Sequence, residues 1–299
     1  MRTQSAWFVS RRCVNPRKIR ISADFADVTP IIRPQVRILA DAGAKLDHPK
    51  STRATTPLYK AYLDDDVEML LLLLECGADP DIEVTDTEGN STTLLSMAVE
   101  QDNVEFVRAL VTGGADVDLA ADDGFTPSGR CVMLTGNVEI FDIMLAGGAA
   151  INKLDAHRGT PLYYASHENS AEWLRIARKL IEAGADLTVA DADGKTPVLI
   201  AVELGNVDML DLLIEAGAEI SRMVDGAGVT PLIVGSHMGH ADVVAALLNA
   251  GADPALQAAP DNSFNISAGS TALSSAPEQN DRIARMLLSA LGSGAFAFR

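Results

Sequence analysis

Glycine closes an apolar, helix-like run at Gly43, Gly77, Gly114, Gly148, Gly184, Gly217 and Gly251, at intervals of 34, 37, 34, 36, 33 and 34 residues. A second series opens each unit: TPLYKA from Thr56, TLLSMA from Thr93, TPSGRC from Thr126, TPLYYA from Thr160, TPVLIA from Thr196, TPLIVG from Thr230 and TALSSA from Thr271. Two phase-locked series at one period restrict the chain to an array of similar supersecondary units, each burying its apolar side against the next.

Each unit reads as a pair of short helices. Threonine offers its hydroxyl to a free backbone N–H at the start of the first helix, and proline at the next position gives up no hydrogen bond there. Leu58, Leu162, Val198 and Leu232 then point inward, while Ala61, Ala98, Ala165 and Ala201 let neighbouring helices approach closely. The second helix follows a polar turn, in stretches such as MLLLLLECG and MLDLLIEAG, with apolar residues recurring three and four positions apart. A closing glycine in the left-handed conformation stops it. Helices of roughly ten residues are unstable alone, so stacking must supply the stability.

The pattern TPLxxA, then GNV, then LLxxGAD resembles the ankyrin-repeat family at seven places between about residues 51 and 292. That resemblance implies an all-α solenoid of stacked antiparallel helix pairs with projecting β-hairpin-like loops. It divides the chain into a basic arm or targeting segment over 1–23, a degenerate N-terminal capping half-repeat over 24–50, seven repeats over 51–292 and a tail over 293–299. It also implies a non-enzymatic module that binds another protein on the concave face, built from hairpin tips and first helices. The family's histidine after TPL is replaced by Tyr59, Ser96, Gly129, Tyr163, Leu199, Ile233 and Ser274. The third unit is weak in its first helix (Ser128, Gly129, Arg130), and the fourth is lengthened over 166–177, near Trp173. Extended loops are expected over 83–91 and 254–270.

Carried over from the family, the inner positions are Asp122, Asp123, Phe125, Met133 and Leu134 in the third unit, and His157, Tyr164, His167 and Glu168 in the fourth. They continue as Asp193, Lys195, Glu203 and Leu204 in the fifth, then Val229, His237 and Met238 in the sixth. Apolar and aromatic members of this set resemble interface anchors ringed by acids. For Phe125 and Tyr164, filling holes left by missing residues is an equal alternative; for Tyr163, packing is preferred.

Charge and chemistry narrow the function further. The formal net charge is -17, yet residues 1–23 hold six basic side chains and no acid, leaving 18 basic and 41 acidic side chains in the rest. Such a body repels nucleic acid and anionic lipid and weakly favours a partner with a basic surface. No run is long and apolar enough for a membrane span. The three cysteines are dispersed, which fits a reducing compartment. Cytoplasmic location is therefore expected, with organelle targeting through the basic N-terminus as the alternative. No phosphate-binding glycine loop, serine elbow or metal-ligand spacing occurs, so neither cofactor, metal nor catalytic residue is expected. Two other readings stay open: an enzyme or small-ligand sensor around His157, His167 and Glu168, and self-association through Phe296 and Phe298. A monomer is favoured.

Overall fold

The computed structural model describes residues 29–294, apart from 44–45, 48–55, 86–90, 157, 192, 222–228, 260–263, 265 and 279. The arm over 1–23, Phe296 and Phe298 therefore lie outside the described residues.

Among the described residues seven helix pairs follow one another. They are α2 (Pro57–Leu63) with α3 (Val67–Glu75), α4 (Leu94–Glu100) with α5 (Val104–Thr112), and α6 (Pro127–Arg130) with α7 (Val138–Ala146). Next come α8 (Pro161–Ala165) with α9 (Ala171–Glu182), α10 (Pro197–Glu203) with α11 (Val207–Glu215), α12 (Pro231–Met238) with α13 (Ala241–Asn249), and α14 (Ala272–Ser275) with α15 (Asp281–Gly294). A lone helix, α1 (Thr29–Asp41), packs on α3 in the place of a second helix. The second helices stack in a row from α1 to α15, and the first helices from α4 to α14 form a parallel row. The resemblance is realised as an all-α ankyrin solenoid.

The capping logic holds in every unit. Thr56, Thr93, Thr126, Thr160, Thr196, Thr230 and Thr271 each accept the backbone N–H three residues on, at 3.1–3.4 Å. The closing glycines take φ between 78° and 91°, a region costly for residues with a Cβ. Leu58, Leu162, Val198 and Leu232 are buried, in one apolar core that runs from Val36 to Leu287.

Polar ladders tie unit to unit. Asp47, Asp81, Asp118 and Asn152 accept the backbone N–H of Asp79, Asp116, Ala150 and Asp186 in the following unit, at 2.8–3.1 Å. On the outer side, Arg37–Glu75, Arg108–Glu139, Lys179–Asp142 and Arg282–Asp242 pair across successive second helices at 2.6–2.7 Å. These exposed pairs contribute little each, about 0–1 kcal/mol. The loop expected over 83–91 is instead flanked by two short antiparallel strands, β1 (Glu83–Thr85) and β2 (Ser91–Thr93), with Val84 paired to Thr92. The β-branched pairs Val84–Thr85 and Thr92–Thr93 favour this pairing over an irregular loop.

Candidate partner-binding face

The third unit departs most from the pattern. In units one, two, five and six the left-handed residue that ends the first helix (Asp65, Asp102, Gly205, Gly239) lies nine positions after the capping threonine. In unit three it is Gly136, ten positions after Thr126. The extra residue is absorbed as a π-helical turn, Cys131–Thr135, a feature common at functional sites. The Gly136 N–H then donates to the Cys131 carbonyl at 2.9 Å. The Val132 carbonyl is taken by the Trp173 indole N–H at 2.6 Å.

Trp173 stands on the first turn of α9, which has 12 residues where α3, α5, α7, α11 and α13 have nine. Its ring lies on Gly136 so closely that a Cβ there would approach it to 2.7 Å. The insertion in unit three and the lengthening of unit four therefore meet at one contact. His240 repeats the arrangement on a smaller scale, with its ring over Gly205 and Nε2 facing the Glu203 carbonyl at 3.1 Å.

Just before the π-turn, Arg130 is 6% exposed. It donates to both Asp123 carboxylate oxygens at 2.7 and 2.6 Å, pairs with Glu100, and lies 5.9 Å from the centre of the Phe125 ring. Both Asp123 bonds come from the one Nη2 atom, and a guanidinium removed from water needs such carboxylate partners. Phe125 in turn meets Tyr164 edge-on at 6.0 Å, Tyr164 meets Tyr163 at 5.4 Å, and Tyr163 meets His167 at 4.6 Å. The Tyr164 hydroxyl donates to Asp155 at 2.5 Å and the Tyr163 hydroxyl to Asp191 at 2.8 Å. Burial first, and then these carboxylates, push both phenols above their usual range. Gly159 is required beneath Tyr164, because a Cβ there would lie 2.4 Å from the hydroxyl.

These contacts sort the expected inner residues. Phe125 and Tyr164 are half-buried in the aromatic chain, as is Tyr163. Asp123 is bound to Arg130, and Lys195 Nζ is held by both Glu203 oxygens at 2.9 Å while lying 5.7 Å from the Phe264 ring. Asp122 anchors its hairpin by accepting the Ser91 N–H at 2.9 Å. His167, Glu168, Asp193 and His237 are exposed, and Met133 is half-buried. Leu134, Leu204 and Met238 are exposed by 51%, 52% and 40% at the ends of the first helices of units three, five and six. Val229, expected to be accessible, is fully buried: as a branched apolar side chain just before Thr230 it joins the core. His157 lies outside the described residues.

Arg130, Glu100, Asp155, Asp191 and the indole of Trp173 were not anticipated as site residues. The ten-residue spacing from Thr126 to Gly136 was the available signal for the π-turn; nothing local marks Asp155 or Asp191 as tyrosine acceptors. Cys131, at the start of the turn, is buried, and burial pushes its thiol up to about 12. Among the described residues no cluster of three His, Cys, Asp or Glu is arranged to hold a metal ion, and no helix is long and apolar enough to cross a membrane.

The geometry defines a repeat protein whose inner face varies while its core repeats. The family model for ankyrin repeats (3 copies) matches residues 66–155, 95–191, 128–224 and 174–258. The chain belongs to the ankyrin-repeat family, whose members generally serve as protein–protein interaction modules. It is 35% identical over 179 residues to palmitoyltransferase ZDHHC13 of Pongo abelii, covering 60% of this chain and 28% of that protein. It is 33% identical over 95 residues to human ankyrin repeat and SOCS box protein 6, covering 29% and 22%. A putative ankyrin repeat protein of Rickettsia bellii is 38% identical over 65 residues, covering 22% and 37%. The chain thus spans well under half the length of each of these relatives. Among solved structures, the ankyrin repeat domain of Bcl-3, a member of the IkappaB protein family, superposes with a TM-score of 0.66 at 24% identity, covering 78% of this chain and 98% of that one. An ankyrin repeat domain from Acinetobacter baumannii gives 0.57 at 27% identity, covering 66% and 96%.

Proposed function

We propose that this chain is a non-enzymatic module that binds another protein along the face formed by the hairpin tips and first helices of units three to six. The observation that carries the reading is the row Leu134, Leu204 and Met238, three large apolar side chains 40–52% exposed at equivalent ends of first helices. Exposed apolar residues repeated in register along a solenoid suit anchors for a partner. Exposed Glu168 holds the same eighth position after its capping threonine in unit four, and with exposed Asp122 and Asp193 ahead of the first helices it favours a partner with a basic surface.

Phe125, Tyr163, Tyr164 and Arg130 support the face from behind, since each is already engaged by a neighbour. The same engagement favours binding over catalysis: the Tyr163 and Tyr164 hydroxyls and the Arg130 guanidinium are each held by carboxylates. In this reading the repeats extend over 51–292, residues 24–50 cap the stack, and the protein works as a monomer in the cytoplasm.

The test replaces Leu134, Leu204 and Met238 together with Ser. Capture from the source cell's lysate is then compared with wild type, alongside far-ultraviolet circular dichroism. Loss of a specific partner with an unchanged helical signal is expected. Identical captured proteins from both forms would refute this face.

A further inference from the structure

The turns that end the first helices of units three to six are tied to one another, each through one side chain that meets a carbonyl of the unit before. Trp173 of unit four donates to the Val132 carbonyl at 2.6 Å, Asn206 of unit five donates to the Glu168 carbonyl at 2.8 Å, and Nε2 of His240 in unit six faces the Glu203 carbonyl at 3.1 Å. Leu134, Glu168, Leu204 and Met238 each stand eight positions after a capping threonine and within two residues of one of these bonds. The bonds hold the four exposed positions in a fixed order along the stack: apolar, acidic, apolar, apolar. From that order we infer that the partner presents one extended segment in which a single cationic side chain stands between apolar ones, one side chain to each unit. The inference rests on the proposed face being the binding surface and names the chemistry of what it binds.

Charge places the cation. Asp123 and Glu100 are already taken by Arg130, Glu203 by Lys195, and Asp155 and Asp191 by tyrosine hydroxyls. Glu168 is exposed and has no cationic partner among the described residues. Asp193 is exposed too, but it lies ahead of α10 and not in the row. A lone carboxylate between apolar positions attracts a cation and repels an acid at that one place, which fixes the register of the segment.

Spacing selects the conformation. Neighbouring helices in a stack lie about 8–10 Å apart. A polyproline-type segment advances about 9.3 Å in three residues and brings its side chains back to the same side, so every third residue meets one unit. An α-helix needs seven residues and about 10.5 Å to do the same, and drifts out of register over three steps. A β-strand turns successive side chains to opposite sides, so it cannot set every third residue on one face. The fitting segment is therefore apolar-x-x-cation-x-x-apolar-x-x-apolar, read in either chain direction.

Random peptides of about 16 residues, long enough to cross all four units, test this when displayed on phage and selected on the immobilised full chain. Enriched peptides are expected to share a cation with an apolar residue three positions away on one side and two, three and six away, on the other. Resynthesised, they should bind the Glu168→Arg variant about tenfold more weakly in fluorescence anisotropy, and peptides with the cation exchanged for Glu should prefer that variant to wild type. Replacing Leu134, Leu204 and Met238 by Ser should abolish binding, with the circular dichroism of both variants matching wild type. No enriched peptide, apolar residues enriched at a spacing of seven, acidic residues enriched in place of the cation, or equal binding to wild type and Glu168→Arg would each overturn the inference. If it is overturned while the three-serine form still loses its lysate partner, only this partner chemistry fails and the binding face stands.

Discussion

The contact between Trp173 and Gly136 makes a prediction whose size follows from the geometry. Asp65 and Asp102 hold the position equivalent to Gly136 at φ 55°, so the left-handed conformation does not by itself demand glycine. Gly136→Ala pays about 1–2 kcal/mol for that conformation. The Trp173 ring adds a second term, since the new Cβ lies 2.7 Å from it, and displacing a packed ring costs about 1–3 kcal/mol more. Trp173→Ala alone should cost about 2–3 kcal/mol, less than a fully buried tryptophan because the ring is half-exposed. In that background Gly136→Ala meets no ring and should cost only the conformational term. The two substitutions should therefore couple by about 1–3 kcal/mol, the double variant being more stable than the sum of its parts. Trp173→Phe, which keeps a ring but orphans the Val132 carbonyl, should cost about 1 kcal/mol. Urea unfolding followed by circular dichroism measures the four variants against wild type, provided each gives one cooperative transition. Costs that add within about 0.5 kcal/mol would show that the two side chains do not share a contact and refute the reasoning.

Three further outcomes are expected. Arg130→Ala should destabilise the protein by about 1–3 kcal/mol, because it removes a buried side chain and its bonds to Asp123 and Glu100, two carboxylates exposed enough to be hydrated without it, whereas Arg130→Met together with Asp123→Asn should recover much of that loss in the same unfolding measurement. Burial, opposed by the Asp116 N–H and aided by the Asp79 and Asp116 charges, raises the Asp81 carboxyl above its ordinary value. The folded state therefore binds its proton more tightly than the unfolded state, so this group's contribution falls as pH rises through the folded value and is largest below the unfolded one. Asp81→Asn keeps an acceptor, as Asn152 does at the same rung, and removes that falling contribution, so its melting temperature relative to wild type should increase as pH rises through the acid range, ending in a gain of less than about 1 kcal/mol at neutral pH. A difference from wild type that shrinks as pH rises would contradict the assignment. Finally, with its thiol pushed up to about 12, Cys131 should react with iodoacetamide at pH 8 roughly a thousandfold more slowly than an unfolded-chain cysteine, read by site-resolved mass spectrometry. Rapid native labelling would refute it.

What the sequence revealed follows from how each feature is encoded. The threonine caps and closing glycines act through bonds three to five residues long, so their spacing alone reads out the seven pairs and the place of each helix end. The inner face was legible only where exposure depends on position in the unit, as for Leu134, Leu204 and Met238. Val229 failed because burial there depends on neighbouring units and not on its own. Arg130 looked like a poor helix former in a weak unit; its partners, Glu100 in the preceding unit and Asp123 on the hairpin tip, are set by stacking. Tyr163 finds Asp191 across a unit boundary in the same way.

The departures from the repeat are consequently more informative than the repeat. A solenoid assembled from identical units would present one surface along its whole length, with nothing to distinguish one binding position from the next. Here one residue is added to the first helix of unit three and a turn to the second helix of unit four, and each compensates the other: the π-turn frees the Val132 carbonyl, and the longer helix brings the indole that takes it. Either change alone would be less stable, by about 1–3 kcal/mol, since the freed carbonyl would lack its partner or Trp173 would meet no glycine. The pair fixes a local departure from the repeat at the turn that carries Met133 and Leu134, while the helices of units two to five stay in contact. Uniformity supplies the stability of this protein, and the coupled irregularity at units three and four gives its inner face an identity.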